Sequence, residues 1–170
     1  MPMPFATPAL GIAEARCAHA TDRPAELSEG EARSAITCLI NARRTARGQP
    51  PLGSKPAPRE AALKHTRRMI SGGCFSHRCP GERDLAGRLR ATAYLPCDCT
   101  WLVGENIAWG EGGRGTPAAI VSAWMQSSSH RANILTRKFE HLGVGVARGR
   151  PGANRDRGSA TYTTNFGYKD

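Results

Sequence analysis

The sequence predicts a single domain of mixed α/β class. Apolar residues recur at helical spacing over the first two thirds of the chain and alternate in a strand-like pattern near its C-terminal end. The 170 residues give room for one hydrophobic core of ordinary size. An apolar content of 39%, gathered in periodic segments between glycines and prolines, is typical of a folded domain rather than of a disordered chain.

The first helix is predicted over residues 29–47. Ser28 and Glu31 have the spacing of a capping box, and the apolar residues that follow recur every three to four positions. Gly48 and the pair Pro50-Pro51 end the pattern. We therefore assign residues 28–170 to the folded domain and interpret residues 1–27, rich in Ala and Pro, as a flexible N-terminal leader or propeptide.

A second helix is predicted from Pro58 to Ile70, with Gly72-Gly73 ending it. Its core-facing residues are expected to include Ala62, Thr66 and Met69, while His65 is expected at the solvated side or at the edge of the core.

Two further helices bring the expected number to about four. Asp84 can cap a short third helix, and Thr116-Pro117 gives an N-cap and a first-turn proline for a fourth.

Two strands are predicted at the C-terminal end. Apolar residues alternate over 142–147 and again over 161–166, and the basic, glycine-rich residues 149–158 separate them. An antiparallel hairpin with a long loop is the simplest arrangement. Because Gly143 and Gly145 leave one face without side chains, another element can pack closely on that face.

The formal net charge of +10 indicates attraction to anionic partners. The cations are scattered, with no block of like charges and no interleaving with aromatic residues. We therefore expect no specific nucleic-acid binding. The chain also lacks a continuous apolar run of the roughly 18 residues that a transmembrane helix needs.

Six cysteines in a chain of this size favour disulfides in an oxidising compartment. The absence of a C-x-x-C pair argues against a zinc knuckle. Cys74 and Cys79 can bond locally around a turn, whereas Cys97 and Cys99 need separate, distant partners and Cys17 can remain unpaired. The spacing does not select one connectivity.

Secretion is expected from these cysteines, although the N-terminus shows no clear signal peptide. Residues 1–20 lack a basic start and a long apolar stretch, and Glu14 and Arg16 interrupt them. Three explanations stay open: a misassigned start, another export route, or a cytosolic protein with reduced thiols.

Three segments combine polar and aromatic residues at predicted element boundaries, where functional sites often lie. They are Phe75-Ser76-His77, Gly104-Glu105-Asn106 and the stretch from Trp124 to Leu135, which contains Ser127 and His130.

If His77, Glu105 and His130 converge, they can hold a divalent ion such as Zn²⁺ or act as an acid and base on a bound water. Each also has an ordinary structural interpretation, with His77 capping a turn, Glu105 in a glycine-flanked turn and His130 at a helix C-terminus. The serines 127–129 lack the G-x-S-x-G elbow of a serine hydrolase.

The three segments, in this order and spacing, resemble the CAP superfamily of cysteine-rich secretory, antigen-5 and pathogenesis-related proteins, and especially its bacterial branch. The similarity runs from about Ala35 to Gly167 and includes Leu39-Ile40-Asn41-Ala42-Arg43, Leu142-Gly143-Val144-Gly145-Val146 and Tyr162-Thr163-Thr164-Asn165-Phe166-Gly167.

The resemblance implies a three-layer α-β-α sandwich with a central antiparallel sheet and an open cleft. In that family two histidines and two acidic residues line the cleft, which sometimes holds a divalent metal. His77, His130 and Glu105 match three of these positions, and Ser127 stands where the second acid is expected. Loss of that carboxylate should weaken the affinity for cations, unless a nearby acid such as Glu140 takes its place.

Family resemblance also implies secretion and the binding of a lipid, a cell-wall polymer or a protein. Our first hypothesis is therefore a ligand cleft formed by His77, Glu105, His130, Ser127 and Asn106 that binds a small or lipid-like ligand or an extracellular partner. The alternative is a metal-dependent, peptidase-like hydrolase in which His77, Glu105 and His130 hold the ion. The sequence does not establish an enzymatic activity.

Overall fold

A four-stranded sheet forms the centre of the fold in the computed structural model, which describes residue 11, residues 16–95 and residues 99–170. The strand order is β1-β3-β4-β2, and β4 pairs antiparallel with both β3 and β2. A two-residue parallel pairing of β1 with β3 completes the sheet. The strands are β1 Gly53–Ser54, β2 Trp101–Glu111, β3 His141–Arg148 and β4 Ser159–Lys169.

Helices cover both faces of this sheet, which confirms the three-layer α-β-α sandwich. Helices α2 and α3 lie on one face, and α1, α4 and α5 pack together on the other. The helices are α1 Glu29–Thr45, α2 Pro56–Gly72, α3 Leu85–Ala91, α4 Pro117–Gln126 and α5 Ser128–Leu135.

The predicted helix signals act as expected. Ser28 and Glu31 form a reciprocal capping box at α1, and the side chains of Asp84 and Thr116 cap α3 and α4. Helix α2 starts at Pro56, two residues before the predicted Pro58. A proline is tolerated in the first helical turn. Gly73 ends α2 in the left-handed conformation, with φ of 61°.

Helix number is one correction to the prediction, since the described residues contain five α-helices rather than about four. The backbone at Ser127 is extended, with φ of −91° and ψ of 124°, and separates α4 from α5. His130 therefore lies in the first turn of α5, and the expectation that it sits at a helix C-terminus is wrong.

Strand β2 is the second correction, because Glu105 lies within an 11-residue strand rather than in a glycine-flanked turn. Helices α3, α4 and α5 contact β2, and its burial does not alternate, because Glu105, Asn106 and Ile107 are buried in succession. Gly104 lies against Asn133 and Phe139, where no larger side chain fits. The predicted hairpin of β3 and β4 is confirmed.

The glycine face of β3 permits close packing of α2, as predicted. A Cβ atom at Gly143 would overlap the backbone of Pro58 and Arg59, and one at Gly145 would overlap the backbone of Ala62 and Leu63. On the opposite face of β3, Leu142, Val144 and Val146 belong to the main hydrophobic core with α1 and α4. Helices therefore pack on both faces of β3.

Two disulfides join cysteines within residues 16–95. Cys74–Cys79 closes the loop after α2, as predicted. Cys17 bonds Cys38 on α1, so the expectation that Cys17 can remain unpaired is wrong. Cys97 lies outside the described residues.

The N-terminal region contributes to the core from Cys17 onward. Cys17, Ala20 and Leu27 are buried in the main hydrophobic core, although the predicted domain starts at residue 28. The backbone N–H of Ala118 also donates to the carbonyl of Ala20. Residues 1–10 and 12–15 of the predicted leader lie outside the described residues.

No helix in the described part of the chain has both the length and the apolar character needed to span a membrane.

The close packing of α2 on β3 predicts that Gly145→Ala will destabilise the protein. The added methyl group must displace backbone atoms of Ala62 and Leu63, and overpacking of this kind costs about 1–3 kcal/mol. Urea denaturation measures the free energy of unfolding. Gly72→Ala is the matched control, because no atom lies within 4 Å of its added Cβ, and equal losses in both variants would contradict this packing.

Candidate functional site

The site is assembled from the loop after α2, strand β2 and the first turn of α5. His77 lies in the loop that the Cys74–Cys79 disulfide closes, Glu105 lies on β2, and His130 lies on α5. The sheet pairing fixes Glu105 opposite Asn165 of β4, so the carboxylate has a rigid base.

His77 and Glu105 are in direct contact. The His77 Nδ1–H donates to Glu105 Oε1 over 2.9 Å. The Glu105 side chain is 3% exposed, whereas the His77 ring is 58% exposed, so the pair connects the interior with the solvent. This hydrogen bond raises the pKa of His77 above its ordinary value of 6.5, and the opposing effects of burial and of Arg88 are weaker.

Arg88 holds the other oxygen of this carboxylate. Its guanidinium bonds Glu105 Oε2, and its Nη1 donates to the carbonyls of His77 at 2.8 Å and Arg83 at 3.1 Å. The Arg88 side chain is 7% exposed. A buried guanidinium with this many acceptors fixes both the acid and the loop that carries His77.

A second pair of ionisable side chains lies beneath the first. His65 on α2 is fully buried, and its Nδ1 lies 2.9 Å from both carboxylate oxygens of Glu82. Glu82 also accepts from the backbone N–H of Cys79 over 3.1 Å. In the described part of the chain His65 Nε2 has no hydrogen-bond partner, and it lies 3.8 Å from Glu105 Oε1.

His130 approaches the site through a network of amide side chains. Its carbonyl accepts from Asn106 Nδ2 at 3.1 Å, and Asn133 Nδ2 donates to both Asn106 Oδ1 and the Glu105 carbonyl. Its ring Nδ1 is hydrogen bonded to Ser127 Oγ at 2.9 Å. Burial, and to a smaller degree the charge of nearby His77, lowers the pKa of His130 below 6.5.

The structure thus places all five predicted site residues close together. They differ in how far they are exposed to solvent. His77 is exposed, His130 and Ser127 are half-buried, and Glu105 and Asn106 are buried structural links. Among the described residues, no group of three His, Cys, Asp or Glu side chains is arranged to hold a metal ion. Ser127 serves His130 as a hydrogen-bond partner.

Three members of the cluster, Arg88, Glu82 and His65, were not predicted. His65 lies one helical turn from Ala61, Ala62 and Met69, which are buried on the same stripe of α2, so helical periodicity could have placed it in the core. The sequence carries no such signal for Arg88 or Glu82. The expectation that His65 is solvated or at the core edge is therefore wrong.

The chain matches the profile of the family described as "CAP: Cysteine-rich secretory protein family" over residues 38–166. It belongs to the CAP superfamily. The CAP domain is 32% identical to Bacillus subtilis YkwD over 127 residues, which is 74% of this chain and 45% of YkwD. The chain therefore spans less than half of that relative.

Solved structures agree with this assignment. An extracellular Bacillus anthracis protein containing a SCP domain is 29% identical, with a TM-score of 0.66 over 81% of this chain and 40% of its own. An outer surface protein of Borrelia burgdorferi shares the fold at 14% identity, with a TM-score of 0.70 over 85% of this chain and 97% of its own. The chain therefore resembles bacterial proteins in both sequence and fold.

The buried Arg88–Glu105 contact predicts a large loss of stability in Arg88→Met. Removing the guanidinium leaves a buried carboxylate without its strongest partner, which costs about 3–5 kcal/mol. Lys64→Met is the control, because Lys64 pairs with Glu60 at the exposed surface and should cost under about 1 kcal/mol. Urea denaturation of both variants tests this, and a loss for Arg88→Met as small as the control's would contradict the proposed anchor.

The two site histidines are predicted to titrate on opposite sides of pH 6.5. The raised pKa of His77 stabilises the fold fully below pH 6.5, and this contribution disappears as pH rises through its folded pKa. The lowered pKa of His130 acts in the opposite sense, so its contribution is present above pH 6.5 and is lost as pH falls through its folded pKa.

Ring resonances followed by NMR across this pH range measure both values. His77→Ala should move the pKa of His130 upward, because it removes a neighbouring positive charge. An unchanged His130 titration, together with a His77 pKa below 6.5, would contradict the assignment.

Proposed function

We propose that this CAP domain is a secreted, metal-independent binding domain whose face around His77 and His130 recognises an extended extracellular ligand, such as a cell-wall polymer or a protein. The observation that carries the proposal is the state of Glu105. Both of its carboxylate oxygens are committed, one to His77 and one to Arg88.

A divalent ion coordinated directly by Glu105 does not fit this set of contacts. To reach Glu105 it would have to displace His77 or Arg88, and the buried guanidinium would repel it. The family position of the second acid holds Ser127, whose hydroxyl is a weaker ligand than a carboxylate and already contacts His130. Glu82, the nearest further acid, is held by His65 and by the backbone of Cys79. These contacts favour binding over the alternative of a metal-dependent hydrolase.

The chemistry of the face suits a ligand with both hydrogen-bonding and apolar parts. The Glu105 hydrogen bond raises the pKa of His77 and so favours its charged, donor form more than in a free histidine, whereas burial lowers the pKa of His130 and favours its neutral ring, which can both donate and accept. Phe75, two residues before His77, is 49% exposed and supplies apolar surface. An exposed histidine and phenylalanine side by side fit an extended ligand better than an enclosed small molecule.

Secretion is supported by two observations. The two disulfides, Cys17–Cys38 and Cys74–Cys79, are typical of proteins from oxidising compartments. The Bacillus anthracis relative is described as extracellular.

Cosedimentation with purified Gram-positive cell walls, in the presence of EDTA, tests the proposal. The protein should bind saturably in EDTA, and His77→Ala should weaken binding about tenfold, since one charged hydrogen bond is worth about 1.5 kcal/mol. Lys64→Ala, which removes an exposed charge on α2, is the control and should bind like the parent. Binding that requires added zinc, or release of wall peptides that EDTA abolishes, would favour the hydrolase instead.

A further inference from the structure

A cavity of about 420 Å³ lies between α1 and α2, beside the β1 edge of the sheet. Arg33, Ser34, Thr37 and Cys38 of α1 form one wall, and Ser54, Lys55, Pro56 and Arg59 form the other. Leu142 and Val144 of β3 form its floor. The backbone N–H of Lys55 donates to the Leu142 carbonyl over 3.0 Å, which fixes the rim to the sheet.

All the charged side chains that line this cavity are positive. Its lining includes three cations, Arg33, Lys55 and Arg59, and no carboxylate. In the described part of the chain none of the three has an acidic partner within 4.0 Å. Two nearby acids are paired elsewhere, Glu29 with Arg67 at 3.6 Å and Glu60 with Lys64 at 2.6 Å.

Polar groups add to the cations. Ser34, Thr37 and Ser54 place three hydroxyls in the same lining, although Ser34 and Thr37 donate to the carbonyls of Gly30 and Arg33. The N-terminus of α2 also begins here, and its N-cap residue Lys55 provides no side-chain cap. The three cations alone supply more donors than a single carboxylate can accept, whereas a phosphoryl group offers three strongly accepting oxygens.

We propose that this cavity binds an organic phosphate, with the phosphoryl group held between Arg33, Lys55 and Arg59. Guanidinium groups match phosphate oxygens in a bidentate manner. The volume lies within the range of about 300–1,000 Å³ that small-molecule sites occupy and exceeds what inorganic phosphate fills. The organic part of the ligand then rests on Leu142 and Val144.

This site is separate from the face around His77. The cavity lies at the start of α2, and its lining includes none of His77, Glu105 and His130. The two proposals can therefore fail independently.

Isothermal titration calorimetry with glycerol 3-phosphate at low salt tests the site, with glycerol as the uncharged comparison. The parent protein should bind the phosphate saturably and should not bind glycerol. Arg33→Gln and Arg59→Gln should each weaken binding about tenfold, because each removes a charged hydrogen bond. His77→Ala should leave this binding unchanged.

Arg67→Gln is the matched control, since it removes the same charge from α2 at a residue outside the cavity lining. The absence of saturable binding, or an equal loss for Arg67→Gln and Arg59→Gln, would overturn the proposal, because both outcomes indicate diffuse attraction to a basic surface. Poly(glycerol phosphate) as a second titrant identifies the source of the phosphate. Tighter binding of the polymer, with the same sensitivity to Arg33→Gln, would point to a polymer, and weaker binding to a small phosphate.

Discussion

The carboxylate of Glu105 is the group on which the candidate site depends. It is buried at the middle of the longest contact between two strands, and it joins the loop of His77 to helix α3 through Arg88. Burying an unpaired carboxylate would be very costly, so the fold must supply cations and donors at this point. Arg88 and His77 are these partners, and their positions fix the geometry of the exposed ring.

The sheet and the helices explain how such a charged cluster can be built in a small domain. Two glycines on β3 let α2 approach the sheet closely enough for His65 to reach the layer beneath Glu105. Glu82 then ties His65 to the backbone of Cys79, inside the loop that the Cys74–Cys79 disulfide closes. The loop of His77 is therefore restrained by its disulfide and by hydrogen bonds at His77 and at Cys79.

The sequence predicts the helices, the terminal hairpin and the local disulfide well, because each depends on short-range signals such as the Ser28 capping box and the alternation along β3. Strand β2 could not be predicted in this way, since its burial does not alternate and Gly104 fits against Asn133 and Phe139 rather than into a periodic pattern. Burial of His65 was readable from the helical stripe of α2. The role of Arg88 was not, because only the folded chain brings α3 to β2.

The family resemblance groups His77, Glu105 and His130 as one site. The structure adds the contacts of Arg88 and Ser127, which change how this site is interpreted. With Arg88 on one carboxylate oxygen and Ser127 hydrogen bonded to His130, the cluster resembles an ion-paired support more than a cation site. The same basic character recurs at the α1–α2 cavity, where three cations face a space without acids. Both surfaces favour recognition of ligands rich in hydrogen-bond acceptors.

A crystal structure of the protein grown at neutral pH with excess zinc would test the central claim most directly. The account predicts that Glu105 keeps its contacts with Arg88 and His77 and that its carboxylate coordinates no ion. Zinc coordinated by Glu105 together with His77 or His130, with Arg88 displaced, would contradict it.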